Sequence, residues 1–296
     1  MGFNIWQGTS NSWSTAGNWS LAAVPVNSDD VYLRNSAQDI EAGLAQSGVT
    51  LATLNVEMTM TGAIGESSSS YLNIGTAIAN IGTSSEVATG NGNGRWNFQF
   101  AGTTNTTVNV FGSANTGTDD GQPPIRLLGS NLTLNVLGGT CGVATAPSET
   151  STVSTLTMSS GTVILGRGTA ITTINATGGS IINQSQTGTI TAATLARQAT
   201  MTHEGSTPFT TLNVDKRSSV FYAGSGTITT LNLTGTLDLS TGSGAVTITN
   251  ANLYDGATIR DPLGRLTFTN PPRCVRCSVD DLTLDFGQNR TIQIGS

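Results

Sequence analysis

The chain has 296 residues, of which 36% are apolar, 5% aromatic and only 10% charged, with a net charge of −6. Ordinary soluble domains carry roughly 25% charged residues, so an unusually neutral surface is expected. One lysine, Lys216, beside eleven arginines supplies no phosphate-binding stripe, which argues against duplex nucleic acid as a partner. No stretch is apolar and long enough for a membrane span.

Residues 1–47 form a distinct head. Trp6, Trp13 and Trp19 fall within fourteen residues, followed by Pro25 and Asp29-Asp30-Val31. An aromatic cluster of this kind is suited to plugging the open end of a stacked structure, whose first layer otherwise exposes apolar side chains and strand edges. Met1 to Trp6 has neither the basic region nor the apolar run of a secretory signal, and three cysteines are too few for a disulfide framework. Synthesis in a cytoplasm and folding without disulfides are therefore expected.

Residues 48–125 open with one clean repeat, Gly48 to Val56, and then lose their period. Tyr71–Ile74, Trp96–Phe100 and Thr106–Phe111 read as strands, separated by loops at Glu66–Ser70, Gly90–Gly94 and Asn115–Pro124. Trp96, Phe98 and Phe100 alternate, so all three face one side, the pattern of a core rather than a sugar-binding platform.

Residues 126–258 are the regular part. Gly226-Thr-Ile-Thr-Thr-Leu-Asn-Leu233 has versions ending at Met158, Ala176, Ala196 and Val214. Aligning Thr155, Thr173, Thr194, Thr211 and Thr230 gives steps of 18, 21, 17 and 19 residues. A period near twenty, with Thr or Asn alternating with Leu, Ile or Val, predicts one coil of a solenoid per repeat. Second apolar runs at Thr162–Leu165, Ser180–Asn183, Ser219–Tyr222 and Thr236–Leu239 give at least two strands per coil. The predicted fold is all-β: a parallel β-solenoid (β-helix) with an aromatic N-terminal cap and a distinct C-terminal segment. That segment, 259–296, holds Arg260, Arg265, Arg273, Arg276 and Arg290 and reads as a cap or docking element.

Candidate chemistry is sparse. Cys274-Val-Arg-Cys277 has the spacing of half a zinc site or of a redox pair, but a zinc site's remaining ligands would have to be Cys141 and His203, both distant in sequence. His203, the only histidine, lacks a recognisable partner and is expected in a solvent-facing loop. The carboxylate pairs Asp29-Asp30, Asp119-Asp120 and Asp280-Asp281 are neighbours in sequence and so face opposite ways on a strand, while Asp215, Asp238 and Asp255 are scattered. Neither a glycosidase pair nor a calcium cluster is predicted. No catalytic residue, cofactor or metal is assigned.

The order Trp-x-Gly, Trp, Asn-Trp, Pro, Asp-Asp-Val over the first thirty or so residues resembles the module that opens many β-solenoid surface proteins of bacteria and virion proteins of bacteriophages. The resemblance implies a non-enzymatic virion structural protein, a capsid decoration (cement) protein or head fibre. It would be made in the host cytoplasm and placed on the capsid exterior. It further implies a homotrimer and the major capsid protein or other virion proteins as partners, with a host surface glycan as a further possibility. The alternatives are a tailspike-type protein that binds or cleaves host polysaccharide, and a bacterial surface adhesin. Candidate docking or capping residues are Trp6, Trp13 and Trp19 at one end and Arg273 and Arg276 at the other.

Overall fold

The computed structural model describes residues 2–65, 70–83, 95–101, 105–113, 122–287 and 294–295. The expected loops at Glu66–Ser70, Gly90–Gly94 and Asn115–Pro124 lie wholly or largely outside these residues, as do Asp119, Asp120 and Arg290. The protein is an all-β parallel β-solenoid: among the described residues there are 24 strands, two short 3-10 turns and no α-helix. The chain divides into two compact units, residues 1–154 with 161–166, and residues 155–160 with 167–296.

In the second unit the strands Ile190–Leu195, Phe209–Val214, Gly226–Leu233 and Val246–Leu253 stack in parallel. Their inward side chains break simple alternation. Ile228 and Leu231 are both fully buried although three residues apart, and the same holds for Phe209 and Leu212 and for Ile248 and Ala251. A flat strand buries every second residue, so each of these strands must turn a corner between the two buried positions. The paired register skips one residue there, at Thr210, Thr229 and Thr249. Thr210-Thr211 and Thr229-Thr230 sit at these corners.

The register also corrects the repeat alignment. Thr173 pairs with Ala192, Ala192 with Thr211, Thr211 with Thr230 and Thr230 with Asn250, giving steps of 19, 19, 19 and 20 residues. Thr194 belongs two positions further on, between Asn175 and Asn213. An alanine in the Thr column hid the true frame.

The outward position between the last two inward residues carries a column of asparagines. In the second unit Asn252 Nδ2 donates to Asn232 Oδ1 at 2.8 Å, Asn232 Nδ2 to Asn213 Oδ1 at 2.8 Å, and Asn213 Nδ2 to Thr194 Oγ1 at 3.1 Å. The first unit builds the same column from Asn55, Asn80, Asn109 and Asn135, each later amide donating to the earlier one at 2.8–2.9 Å. Here the steps are 25, 29 and 26 residues. The register survives because it is set by a short motif, Leu54-Asn55-Val56, Ala79-Asn80-Ile81, Val108-Asn109-Val110 and Leu134-Asn135-Val136, whose two apolar residues are buried. The longer coils of the first unit, which look aperiodic in sequence, stack in parallel by the same motif.

The core is a column of Leu, Ile and Val with aromatic rungs. Trp96, Phe98 and Phe100 are buried, as their alternation predicts, and Trp96 pairs with Ile125 and Ile125 with Cys141.

Candidate functional site

The N-terminal head is sealed by its tryptophans. Trp6, Trp13 and Trp19 are at most 2% exposed, with the Trp19 ring edge-on to Trp6 at 5.2 Å and to Trp13 at 4.6 Å. Trp19 Nε1 donates to the Trp13 carbonyl at 2.7 Å. Asn18 locks the turn that carries Trp19: its side chain bonds to Ser10 N, Ser10 Oγ and the Ser12 carbonyl at 2.7–2.8 Å. The indoles therefore cap, and a partner reaching this end meets other residues. Phe3, Leu21 and Val26 are 50–60% exposed there. Buried Asp29 gathers them, accepting from Gly2 N at 2.8 Å and Val26 N at 3.0 Å, and Leu21 Cδ1 lies 3.1 Å from where a side chain on Gly2 would begin. Asp30 turns the other way, accepting from Thr53 Oγ1 at 2.7 Å. The two carboxylates hold separate structural posts.

His203 is a correction. It lies in the strand Thr200–His203, fully buried, and not in a solvent-facing loop. Asn183 Nδ2 lies 3.0 Å from Nδ1, and the rings of Tyr222 and Phe209 lie at 4.5 and 5.1 Å. Burial lowers the imidazole pKa to about 4, an effect only partly opposed by the Ser225 carbonyl, while Nε2 has no partner in full hydrogen-bond geometry among the described residues. The ring is neutral at physiological pH and walled off from solvent. Its alternation with Met201, an inward residue, was the signal in the sequence that it faces the core.

Arg265 enters the same region. Its guanidinium donates to the carbonyls of Tyr222 and Gly244 at 2.7 and 2.8 Å and also to those of Gly224 and Thr241. The corners there are glycine for a steric reason: a Cβ on Gly205 would sit 1.9 Å from the Ser185 carbonyl oxygen, and one on Gly224 the same distance from that of Gly205. Only glycine lets successive turns of backbone come so close, and the converging carbonyls then hold a cation. In the first unit the buried arginine is Arg126. It donates to Glu149 Oε1 at 2.7 Å and stacks 5.1 Å from the Tyr71 ring, whose hydroxyl also donates to Glu149. Burial and the bond to Glu149 raise the Tyr71 pKa. Arg126, Glu149 and Tyr71 form a closed, satisfied knot of charge.

The cysteines divide. Cys141 is buried and free, its thiol pushed up to about 12 by desolvation, so it is no nucleophile. Cys274 and Cys277 are joined in a disulfide, which corrects the expectation of folding without one. The bond ties the strand Arg273–Cys274 to the loop carrying exposed Arg276. Asp280 and Asp281 are exposed, and Asp281 accepts from Ser278 N at 2.7 Å in a capping box.

Exposed Arg273 borders a cleft of about 720 Å³ whose wall includes Thr230, Asn250, Asn252, Asn270 and Gly295. Among the described residues no group of three or more His, Cys, Asp or Glu side chains is placed to hold a metal. Comparison with known protein families, curated proteins and solved structures finds no match.

Proposed function

We propose that the chain is a non-enzymatic structural protein of a bacteriophage virion, a capsid decoration protein or head fibre that binds the assembled shell. The observation that carries this reading is the N-terminal end, where Phe3, Leu21 and Val26 are exposed while Trp6, Trp13 and Trp19 are buried. The opening module's resemblance to virion solenoids supplies the setting. The asparagine columns, Arg265 on carbonyls and Arg126 on Glu149 are engaged within the fold. Exposed Phe111 and Leu137, each one residue beyond paired Val110 and Val136, offer a side surface for association into a homotrimer. Binding the assembled state and not the free subunit stabilises the shell by mass action.

Light scattering on the purified chain and co-sedimentation with undecorated capsids test the reading. The expected result is a trimer that pellets with capsids. The double variant Phe3→Ser, Leu21→Asp should stay folded and lose at least tenfold in capsid affinity. Trp13→Ala should instead lose about 3–5 kcal/mol of stability. A folded chain that ignores capsids overturns the proposal.

A further inference from the structure

The cleft beside Arg273 is where the asparagine columns stop. Each rung donates its amide to the previous coil, so the last rung retains a carbonyl oxygen that receives nothing. Asn252 is the last rung of the main column, donating to Asn232 at 2.8 Å, with no donor on its own Oδ1 among the described residues. A second, shorter column ends one corner away, where Asn270 Nδ2 donates to Asn250 Oδ1 at 2.8 Å. That leaves Asn270 Oδ1 as a free acceptor and Asn250 Nδ2 as a free donor. The strand register then places Arg273 over Asn252, the position at which a further asparagine would have closed the column. Its guanidinium is exposed and has no carboxylate or carbonyl partner among the described residues. Pro271 and Pro272, just before it, carry no N–H of their own to satisfy the open carbonyls.

The cleft thus offers one unpaired cation, two free amide acceptors and a free amide donor, with no carboxylate or aromatic ring among the described residues that line it. Its volume of about 720 Å³ falls in the roughly 300–1,000 Å³ range of ligand clefts. An apolar peptide would find no hydrophobic pocket here, and a polyphosphate would need more than one cation. The best match is a ligand rich in hydroxyls that carries an isolated carboxylate.

We propose that this cleft binds an acidic oligosaccharide, with Arg273 taking a uronate carboxylate through paired N–H donors. Asn252 and Asn270 accept from sugar hydroxyls, and Asn250 donates to one. The inference stands apart from the capsid-docking reading, because it concerns the second unit and a different chemistry. Without an aromatic platform for stacking, the affinity should be modest, with Kd of about 0.1–1 mM.

The test is titration of the full chain with trigalacturonic acid and with neutral maltotriose at low salt, followed by calorimetry or amide chemical shifts. Saturable binding of the acidic trimer, at least tenfold tighter than the neutral one, is expected. Arg273→Gln should weaken it at least tenfold with unchanged melting temperature, since the side chain makes no bond among the described residues, and Arg273→Lys should restore part of it. Equal binding of both sugars, insensitivity to Arg273→Gln, no binding at all, or equally tight binding of a tri-glutamate peptide each overturns the proposal.

Discussion

The two units each bury one arginine and satisfy it in opposite ways. In the first, Arg126 is neutralised by a carboxylate, Glu149, and covered by Tyr71, which is 78 residues from Glu149 in sequence. In the second, Arg265 is fed by backbone carbonyls from two successive glycine corners. The difference lies in which groups the coils bring inward. Tyr71 comes inward from a coil whose register step is 25 residues, and Glu149 from one whose step is 22. Steps of 19 or 20 leave tight corners, where main-chain carbonyls converge on the guanidinium beside buried Asp261. What the units share is the asparagine column, indifferent to the length of the coil that feeds it.

The largest expected effect separates the two arginines. Arg265→Met and Arg126→Met should each lose about 3–5 kcal/mol in urea denaturation, because each leaves buried polar groups without a partner. Adding Glu149→Gln to Arg126→Met should recover much of that loss by removing the stranded charge. Removing the charge of nearby buried Asp261 should recover less of the Arg265→Met loss, since the direct partners of that guanidinium are carbonyls. Equal behaviour of the pair under rescue would erase the distinction.

Acid should separate the units next. A buried histidine with its pKa lowered to about 4 takes up a proton in the unfolded chain before it does in the folded one. Its contribution is fully present above about pH 6.5 and is lost as pH falls toward 4, a total of roughly 3 kcal/mol. The first unit has no histidine. Hydrogen exchange between pH 6.5 and 4 should therefore show the strands around His203 opening first, and His203→Phe should abolish that ordering.

Smaller effects probe what the units share. Asn80→Leu and Asn232→Leu each remove two amide–amide bonds from a half-buried column, and about 2 kcal/mol should go from either, measured by thermal unfolding. A much larger loss in one unit would mean that coil length matters after all. Smallest of all, reducing the Cys274–Cys277 disulfide should cost only about 1–2 kcal/mol, because the loop it closes is so short. Differential scanning calorimetry with and without reductant reads it directly.

Much of this was legible in the sequence. The period near twenty, the Thr/Asn alternation and the tryptophan head announce a capped parallel solenoid, because each depends on local chemistry repeated coil after coil. The frame at Thr194 was misread since a Thr resembles a rung whether it sits in the Thr column or the Asn column. His203 was misplaced because polarity was weighed above alternation with Met201. The buried arginines could not be read at all: Arg265 looks like any member of a basic tail until the glycine corners from two coils earlier are stacked beneath it. The cleft was equally hidden, since only register shows that Arg273 takes an asparagine's place.

The asparagine columns also have a direction. Every amide–amide bond of the columns runs toward the coil that precedes it in the chain. As the chain leaves the ribosome, the acceptor that a new rung needs is therefore already in place before that rung is made. Each coil can be locked onto a finished template as it emerges, and assembly proceeds like a zipper closed from the tryptophan end, with the open slider at Asn252.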